Sequence, residues 1–331
     1  MAGLWPPWGT PEIPLKSTFC VAALLAATFV VAPQHEESRA PASSAAQAQQ
    51  ITILSDAFGR PNGTVHDWGY AALVEYGGRR ILFDTGNNAE KFAANVRSLG
   101  IDLRQLDAVV ISHRHGDHTD GLRHLLAVNP DVRIYVPDDE YFGGPTPPVF
   151  FRHAEPSLPA EMQYFGGRVP QPVPHGSAWR ANIVRVDATI EIAPGVLLVR
   201  NISPGPQFSE TPELSLVIQT PSGPVVMVGC SHPGIERILE SVHPALATAA
   251  DARSAAPGAG PAGFHMVVGG LHLVTTTPEN VDALVARLRE RWGVRSIAPG
   301  HCSGEHAFLR LKAAFATGYV FAGVGEVIPL P

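Results

Sequence analysis

The chain has 331 residues, 45% of them apolar, enough for one large domain or two modest ones with a sizeable core. Charged residues make up 16%, below the roughly 25% usual for soluble domains, and 32 Gly with 31 Pro imply many turns and loops. A net charge of −6 leaves no basic footprint, which excludes the usual nucleic-acid or anionic-lipid binder, so no nucleic-acid partner is expected.

Residues 1–50 differ from everything after them. Lys16 precedes the apolar run FCVAALLAATFVVA, and a small and polar stretch follows with an A-x-A site at Ala46, Gln47 and Ala48. That order is the pattern of an export signal and a flexible spacer, and a periplasmic or secreted location is expected. The run falls short of the roughly 20 apolar residues of a comfortable membrane span, so no stable span is expected unless the segment stays uncleaved as an anchor. Phe19 directly before Cys20 is unlike a lipoprotein cleavage site, which wants small residues there.

From Ile51 onward short apolar runs alternate with amphipathic segments. ITILSD, YAALVEY and RILFD read as strands, with Gly77 and Gly78 turning a hairpin between the second and third. AEKFAANVRSLG reads as a helix ending at Gly100. LDAVVISH is a buried strand that runs into the loop SHRHGDHTDGL, and DGLRHLLAVN is the helix behind it. Residues 137–182 are rich in Pro, Gly and aromatics without a period, which suits a lid or pocket wall inserted into the domain.

Strands resume at ATIEIA and GVLLVRNI, and ELSLVIQTPSGPVVMVGCSH reads as a hairpin turning at Pro221 to Pro224. GIERILESV is a short helix, 245–263 a small-residue loop, and FHMVVGG a strand. In TTTPENVDALVARLRERWG, Thr277 caps a helix, Pro278 fits its first position, and Val281, Leu284, Val285, Leu288 and Trp292 form one apolar stripe of core packing. VRSIAP, the loop GHCSG, the helix EHAFLRLKAAF and the strand EVIPL complete a domain over 51–331. Hairpins and single crossover helices occur in both halves, which predicts a layered α/β architecture with two sheets rather than one doubly wound sheet. Histidine-bearing loops follow Ile111, Gly229, Gly270 and Pro299, so four strand ends are expected to converge on one edge.

The loop at Ser112–Leu122 places His113, His115 and His118 around Asp117 in a chain with only 14 His. Imidazoles and a carboxylate at that density are ligands for Zn, Fe or Mn, and without a cation they are poorly compensated. His113 and His115 can serve one metal while Asp117 and His118 turn to a second, with Gly116 expected to allow the backbone turn.

These motifs carry a resemblance. ILFDTG at Ile81–Gly86, SHRHGDHTDGL and APGHCSG resemble the metallo-β-lactamase superfamily of binuclear metal hydrolases. GCSHPGI from Gly229, GGLHL from Gly269 and GHCSG from Gly300 are most similar to the branch named for a dihydropterin ribofuranosyl aminobenzene phosphate synthase. The resemblance implies a four-layer αββα sandwich with two divalent metals, zinc foremost, at the sheet edge. It gives His113 and His115 to the first metal, Asp117, His118 and His301 to the second, and makes Asp84 a carboxylate that orients the ligand loop.

The sequence also departs from that pattern. The usual T-P-G-H and T-G-D stretches correspond to ISPGPQFSE and MVGCSH, which lack the histidine of the first and carry Cys230 where the aspartate of the second would stand. His232, close behind, is expected to supply the third ligand of the first metal. Cys230 stays open between a thiolate ligand and a buried packing thiol. A Cys230–Cys302 disulfide would occupy the metal cleft and ranks below both. His272 and His66, placed as in the branch, are expected to face substrate as proton or hydrogen-bond donors, and together with Asp117 they are the candidate catalytic groups.

The expected chemistry is hydrolysis of a small-molecule ester, lactone, thioester or phosphoester by metal-activated water. The alternatives are a pterin carbon transfer of the kind the branch name implies, and a non-catalytic metal-binding sensor of the same fold. Metal content separates the sensor from the enzymes, and product release from substrate panels separates the two enzymes. Oligomeric state is not legible in the sequence.

Overall fold

The computed structural model describes residues 49–143, 155–163, 167–168, 179–203, 210–251 and 263–331. The expected export segment and most of the expected lid lie outside them. In chain order the first strands are β1 (Gln50–Ser55), β2 (Ala71–Tyr76), β3 (Arg79–Phe83), β4 (Ala108–Val110), β5 (Arg133–Pro137) and β6 (Asn182–Val186). After them come β7 (Ile190–Ala193), β8 (Val196–Ser203), β9 (Thr211–Thr220), β10 (Gly223–Val228), β11 (Met266–Gly270), β12 (Ser296–Gly300) and β13 (Val327–Pro329). The helices are α1 (Ala89–Ser98), α2 (Gly116–Thr119), α3 (Leu122–Val128), α4 (Ile235–Asp251), α5 (Pro278–Glu290) and α6 (Glu305–Phe315).

Local chemistry sets these boundaries. The β2–β3 turn uses Gly77 and Gly78 at φ 56° and 75°, the left-handed pair that a two-residue hairpin matched to strand twist requires. Asn88 caps α1 by accepting the N–H groups of Glu90 and Lys91, and Thr277 caps α5 through Asn280 N–H.

The strands form two sheets, ordered β13-β1-β2-β3-β4-β5-β6 and β12-β11-β10-β9-β8-β7. Each is antiparallel on one side and parallel on the other: β3 to β6 run parallel in the first, β10 to β12 in the second. Side-chain alternation gives every central strand two apolar faces. Ala72, Val74, Ile81 and Phe83 pack with Leu214, Leu216, Val225 and Met227 in a core between the sheets. Leu73 and Leu82 point the other way onto Phe92 and Leu122 of α1 and α3, while Val217 and Val226 meet Leu239, Leu284 and Leu311 of α4, α5 and α6. The layer order is αββα, as the resemblance implies, in the compact unit Ala46–Pro331.

Three local expectations are corrected and two strands are added. The short helix from Gly234 continues through Pro244 to Asp251, so the expected loop at 245–263 is helical in its first part, and 252–262 lie outside the described residues. The runs RIYVP and NIVRV are strands that flank the insertion and pair with each other in parallel. The segment ATIEIA is a strand only over Ile190–Ala193. Gly116 begins the helical turn α2 and is not among the residues with positive φ, so the turn there does not need glycine's freedom. Among the described residues no helix is long and apolar enough to cross a membrane.

Candidate metal centre

The parallel strands deliver their carboxyl ends to one edge of the sandwich. β3 ends at Asp84, β4 leads into Ser112–His118, β10 into Cys230–His232, β11 into His272 and β12 into His301. Leu214 N–H bonds Ser112 C=O across 2.8 Å and ties the two sheets together there. Among the described residues, four of the five non-glycine residues with positive φ, Asp84, Ser231, His272 and His301, lie on these strand ends, so backbone strain is concentrated at the site.

Two donor sets adjoin. The donor atoms of His113, His115 and His232 lie within 4.8 Å of one another, and so do those of Asp117, His118 and His301. His113, His118 and Cys230 form a third such group, which places the Cys230 sulfur between the two sets. The Cys230 Sγ is 3.3 Å from His118 Nε2. Cys230 and Cys302 are both free thiols.

Three of the imidazoles, His113, His118 and His232, are oriented from behind. His118 Nδ1 donates to Asp84 Oδ2 across 2.7 Å, and that carboxylate also accepts Ser112 N–H at 2.6 Å and Ser112 Oγ–H at 2.8 Å. His113 Nδ1 reaches Ser112 Oγ at 2.8 Å and so hangs from the same buried carboxylate. On the other sheet Glu213 Oε2 accepts both the N–H and the Nδ1–H of His232 at 3.0 Å, while Oε1 accepts Ser231 N–H at 2.8 Å. These contacts commit the Nδ1 of His113, His118 and His232 and leave their Nε2 facing the cluster, the arrangement of a metal-ligating histidine with a carboxylate behind it, whereas His115 turns its Nδ1 toward His113 Nε2 at 3.0 Å. Asp56 supports the last loop: its buried Oδ2 accepts His301 N–H at 3.0 Å.

The protonation states follow from burial and neighbours. Burial, then the surrounding histidines, holds His113 well below the ordinary imidazole range. Burial lowers His115 to about 4 and His301 to about 4, so both are neutral at physiological pH. Burial works against charge on His118 too, but the adjoining Asp84 overcomes it and raises His118 to about 8. Burial would raise Asp117, yet the close approach of His301 and the charge of His118 hold it well below the usual carboxylate range. His301 presents two buried ring nitrogens without a hydrogen bond, and its Nε2 stands 3.4 Å from Asp117 Oδ2. Neutral His113, His115 and His301, an ionised Asp117 and buried ring nitrogens without a hydrogen bond, converging on one space, fit divalent cations.

The comparisons with known proteins agree with this geometry. The profile of the metallo-beta-lactamase superfamily matches residues 69–261, more than half of the chain. The chain belongs to this superfamily. Among its members, the 7,8-dihydropterin-6-methyl-4-(beta-D-ribofuranosyl)-aminobenzene-5'-phosphate synthase of Methanocaldococcus jannaschii is 25% identical over 298 residues, 82% of this chain and 92% of that protein. The crystal structure of Tm1679, a metal-dependent hydrolase of the beta-lactamase superfamily, superposes with a TM-score of 0.59 at 24% identity, covering 85% of this chain and 98% of that one. The metallo-beta-lactamase fold protein YhfI from Bacillus subtilis shares the fold at a TM-score of 0.51 and 14% identity, covering 85% of this chain and 98% of that one.

Within this superfamily fold the structure gathers His113, His115, Asp117, His118, Cys230, His232 and His301, with Asp84 behind them. His272 lies beside the cluster, its ring 4.8 Å from that of His232, on an exposed residue. His66 is exposed in a loop over Gly59 and belongs to none of these donor groups. The segment that departs from the usual T-P-G-H motif lies largely outside the described residues.

Four participants were missed in the sequence. Glu213 and Asp56 look like polar residues of ordinary strands, and only their complete burial marks them. Trp68 Nε1 donates to Asp117 Oδ2 at 3.1 Å, its ring is 5.0 Å from that of His301, and it remains 48% exposed. Arg114 reaches Asp139 Oδ2 at 2.5 Å and Thr211 Oγ1 at 3.0 Å, which anchors the metal loop to the start of the insertion. The signal for Trp68 was its place in VHDWG, beside the histidine that was singled out there.

Proposed function

We propose that this chain is a binuclear metal-dependent hydrolase acting on a small-molecule ester, lactone, thioester or phosphoester. The observation that carries the reading is the pair of adjoining donor sets, each backed by a buried carboxylate, with both buried ring nitrogens of His301 lacking a hydrogen bond and Nε2 3.4 Å from Asp117 Oδ2. In this reading His113, His115 and His232 hold one cation and Asp117, His118 and His301 the other. Divalent cations, zinc foremost, supply Lewis-acid polarisation of the bond under attack and acidify water near neutral pH.

The protein's own groups do the rest. Asp84 and Glu213 fix the tautomers of His118 and His232, and Trp68 holds the Asp117 carboxylate in place. His272, exposed at the rim and with its pKa lowered by burial and by His232, is neutral near pH 7 and serves as a hydrogen-bond partner for substrate. His66 has no role in this reading.

Elemental analysis of purified protein should give about two equivalents of Zn, Fe or Mn per chain, and a product-release panel of phosphate esters, lactones and thioesters should show turnover abolished by chelation. A chain that stays empty in the presence of added metal ends the proposal. The likeness to the dihydropterin synthase over most of both chains supports a second reading, pterin carbon transfer, which pterin turnover without hydrolysis would establish. The sequence of residues 1–50 supports export, tested by fractionating a bacterial host for protein shortened near Ala48.

A further inference from the structure

The hydrolytic reading leaves Cys302 without a task. It follows His301 directly and is 4% exposed, while Cys230 is 3% exposed. The donor atoms of Cys230, His301 and Cys302 all lie within 4.8 Å of one another. Cys230 also stands 3.3 Å from His118 Nε2, so its sulfur lies between His118 on one side and His301 with Cys302 on the other. Gly270 keeps that space open: a Cβ there would lie 2.8 Å from Cys302 Sγ and 3.2 Å from His301 Cδ2. A packing thiol normally sits among apolar neighbours. These two face ring nitrogens, one set of which has no hydrogen-bond partner. The Cys302 thiol lies against Cys230, 3.7 Å from its C=O and within hydrogen-bonding reach of its thiol, and that neighbour together with burial pushes the Cys230 thiol up when no cation is bound.

We propose that Cys230 and Cys302 are both sulfur ligands, and that with His118 and His301 they make the second cation position a thiolate-rich site selective for a thiophilic divalent ion. The proposal rests on the metal-dependent reading above only in that a cation occupies this position. Donors on one tetrahedral zinc, with Zn–S of about 2.3 Å and Zn–N of about 2.0–2.1 Å, stand about 3.6–3.8 Å apart, so the Cys230, His301 and Cys302 donors, all within 4.8 Å, must contract by up to about 1 Å to close on an ion, and His118, 3.3 Å from the Cys230 sulfur, must close with them. On binding, each thiol releases its proton to solvent and its sulfur bonds the cation, with no change of oxidation state. Sulfur donors favour zinc and cadmium over magnesium or manganese. Asp117, an oxygen donor on the same position, is then the ligand free to exchange.

The test is a cobalt titration of the full chain, stripped of metal by chelation and kept reduced. Thiolate-to-cobalt charge-transfer absorption is expected in the near ultraviolet. It should fall by about half in Cys302→Ser and in Cys230→Ser, and vanish in the double variant, while ligand-field bands from the His113, His115 and His232 position remain. Cadmium-113 resonance of the unaltered chain provides a readout that needs no variant, with one strongly deshielded signal expected from sulfur ligation. Cobalt bound with ligand-field bands alone, or charge transfer that survives Cys302→Ser at full strength, overturns the proposal and leaves the metal centre standing. A chain that takes up neither cobalt nor cadmium overturns both.

Discussion

Each sheet holds a buried carboxylate beneath a histidine of the metal centre, and the two differ in how the protein solvates them. Asp84 accepts the Ser112 N–H and hydroxyl and then relies on His118; burial pushes it above the usual carboxylate range although those partners pull it down. Burial pushes Glu213 the same way, but His232 and the backbone N–H groups of Ser231 and His232 prevail and hold it below. Both carboxylates lean on their histidines, but Glu213 is held toward its ionised form whereas burial keeps Asp84 shifted toward its protonated form. The centre therefore has one side backed by a well-stabilised anion, on the second sheet, and one side whose carboxylate is less well stabilised.

Removing a donor breaks the comparison most severely. His232→Ala should empty the first position and lower turnover by more than about 100-fold, beyond the roughly 10–100-fold range of changes behind a ligand. Elemental analysis should show about one equivalent lost, and His118→Ala should give the complementary loss at the other position. If His232→Ala keeps both ions and full turnover, His232 is not the third ligand of the first cation.

Replacing the carboxylates measures the asymmetry itself. Glu213→Gln leaves His232 Nδ1 and three backbone N–H groups facing a neutral amide, a buried break that costs about 3–5 kcal/mol in stability. Asp84→Asn removes a weaker anion and should cost about 1–3 kcal/mol, with turnover down about 10–100-fold in both variants. Chemical denaturation of the metal-free proteins checks the order, and equal losses would remove the distinction between the two sides.

Legibility followed the same asymmetry. On the first sheet four donors sit within six residues, and Asp84 falls in the familiar LFDTG run, so that side was readable almost entirely. On the second sheet the site is assembled from separate strands. Cys230, His232, His272 and His301 were visible as residues of strand-end loops, but Glu213 reads as one polar position in the strand ELSLVIQT, and nothing in the local sequence tells that it turns toward His232. Asp56 was hidden likewise behind ITILSD, 245 residues from the His301 N–H it accepts. The two-sheet architecture was legible because hairpins and crossovers are local patterns, while the αββα layer order was implied only by the family resemblance. RIYVP was missed because a five-residue run between a helix and a Pro-rich segment carries too little periodicity, and Pro244 reads as a stop although α4 passes through it.

Asp56 gives a pH test of the buried support. Burial raises its carboxyl from 3.8 to about 7, against hydrogen bonds from Phe58, His301 and Ala57 N–H. The folded metal-free chain therefore holds a proton that the unfolded chain has already released, and stability should fall as pH rises from about 4 to about 7, by up to about 1.4 kcal/mol per pH unit. Below that window the contribution is fully present. Asp56→Asn should flatten this part of the profile in thermal unfolding scans, and an unchanged slope would show that Asp56 is ionised throughout.

The smallest expected effect is at Trp68, which touches the less well stabilised side only through Asp117 and His301. Trp68→Phe keeps a ring beside His301 but removes the indole N–H from the Asp117 carboxylate, the loss of one hydrogen bond to a charged group, about 1.5–3 kcal/mol at most and less at this half-exposed place. The affinity of the Asp117, His118 and His301 position should fall by about 10-fold, that of the His113, His115 and His232 position should stay as it is, and a chelator competition resolves the two. Trp68→Ala should weaken the same position further, because His301 then loses the ring as well. Equal weakening at both positions would mean that Trp68 acts through the fold of its loop and not through Asp117.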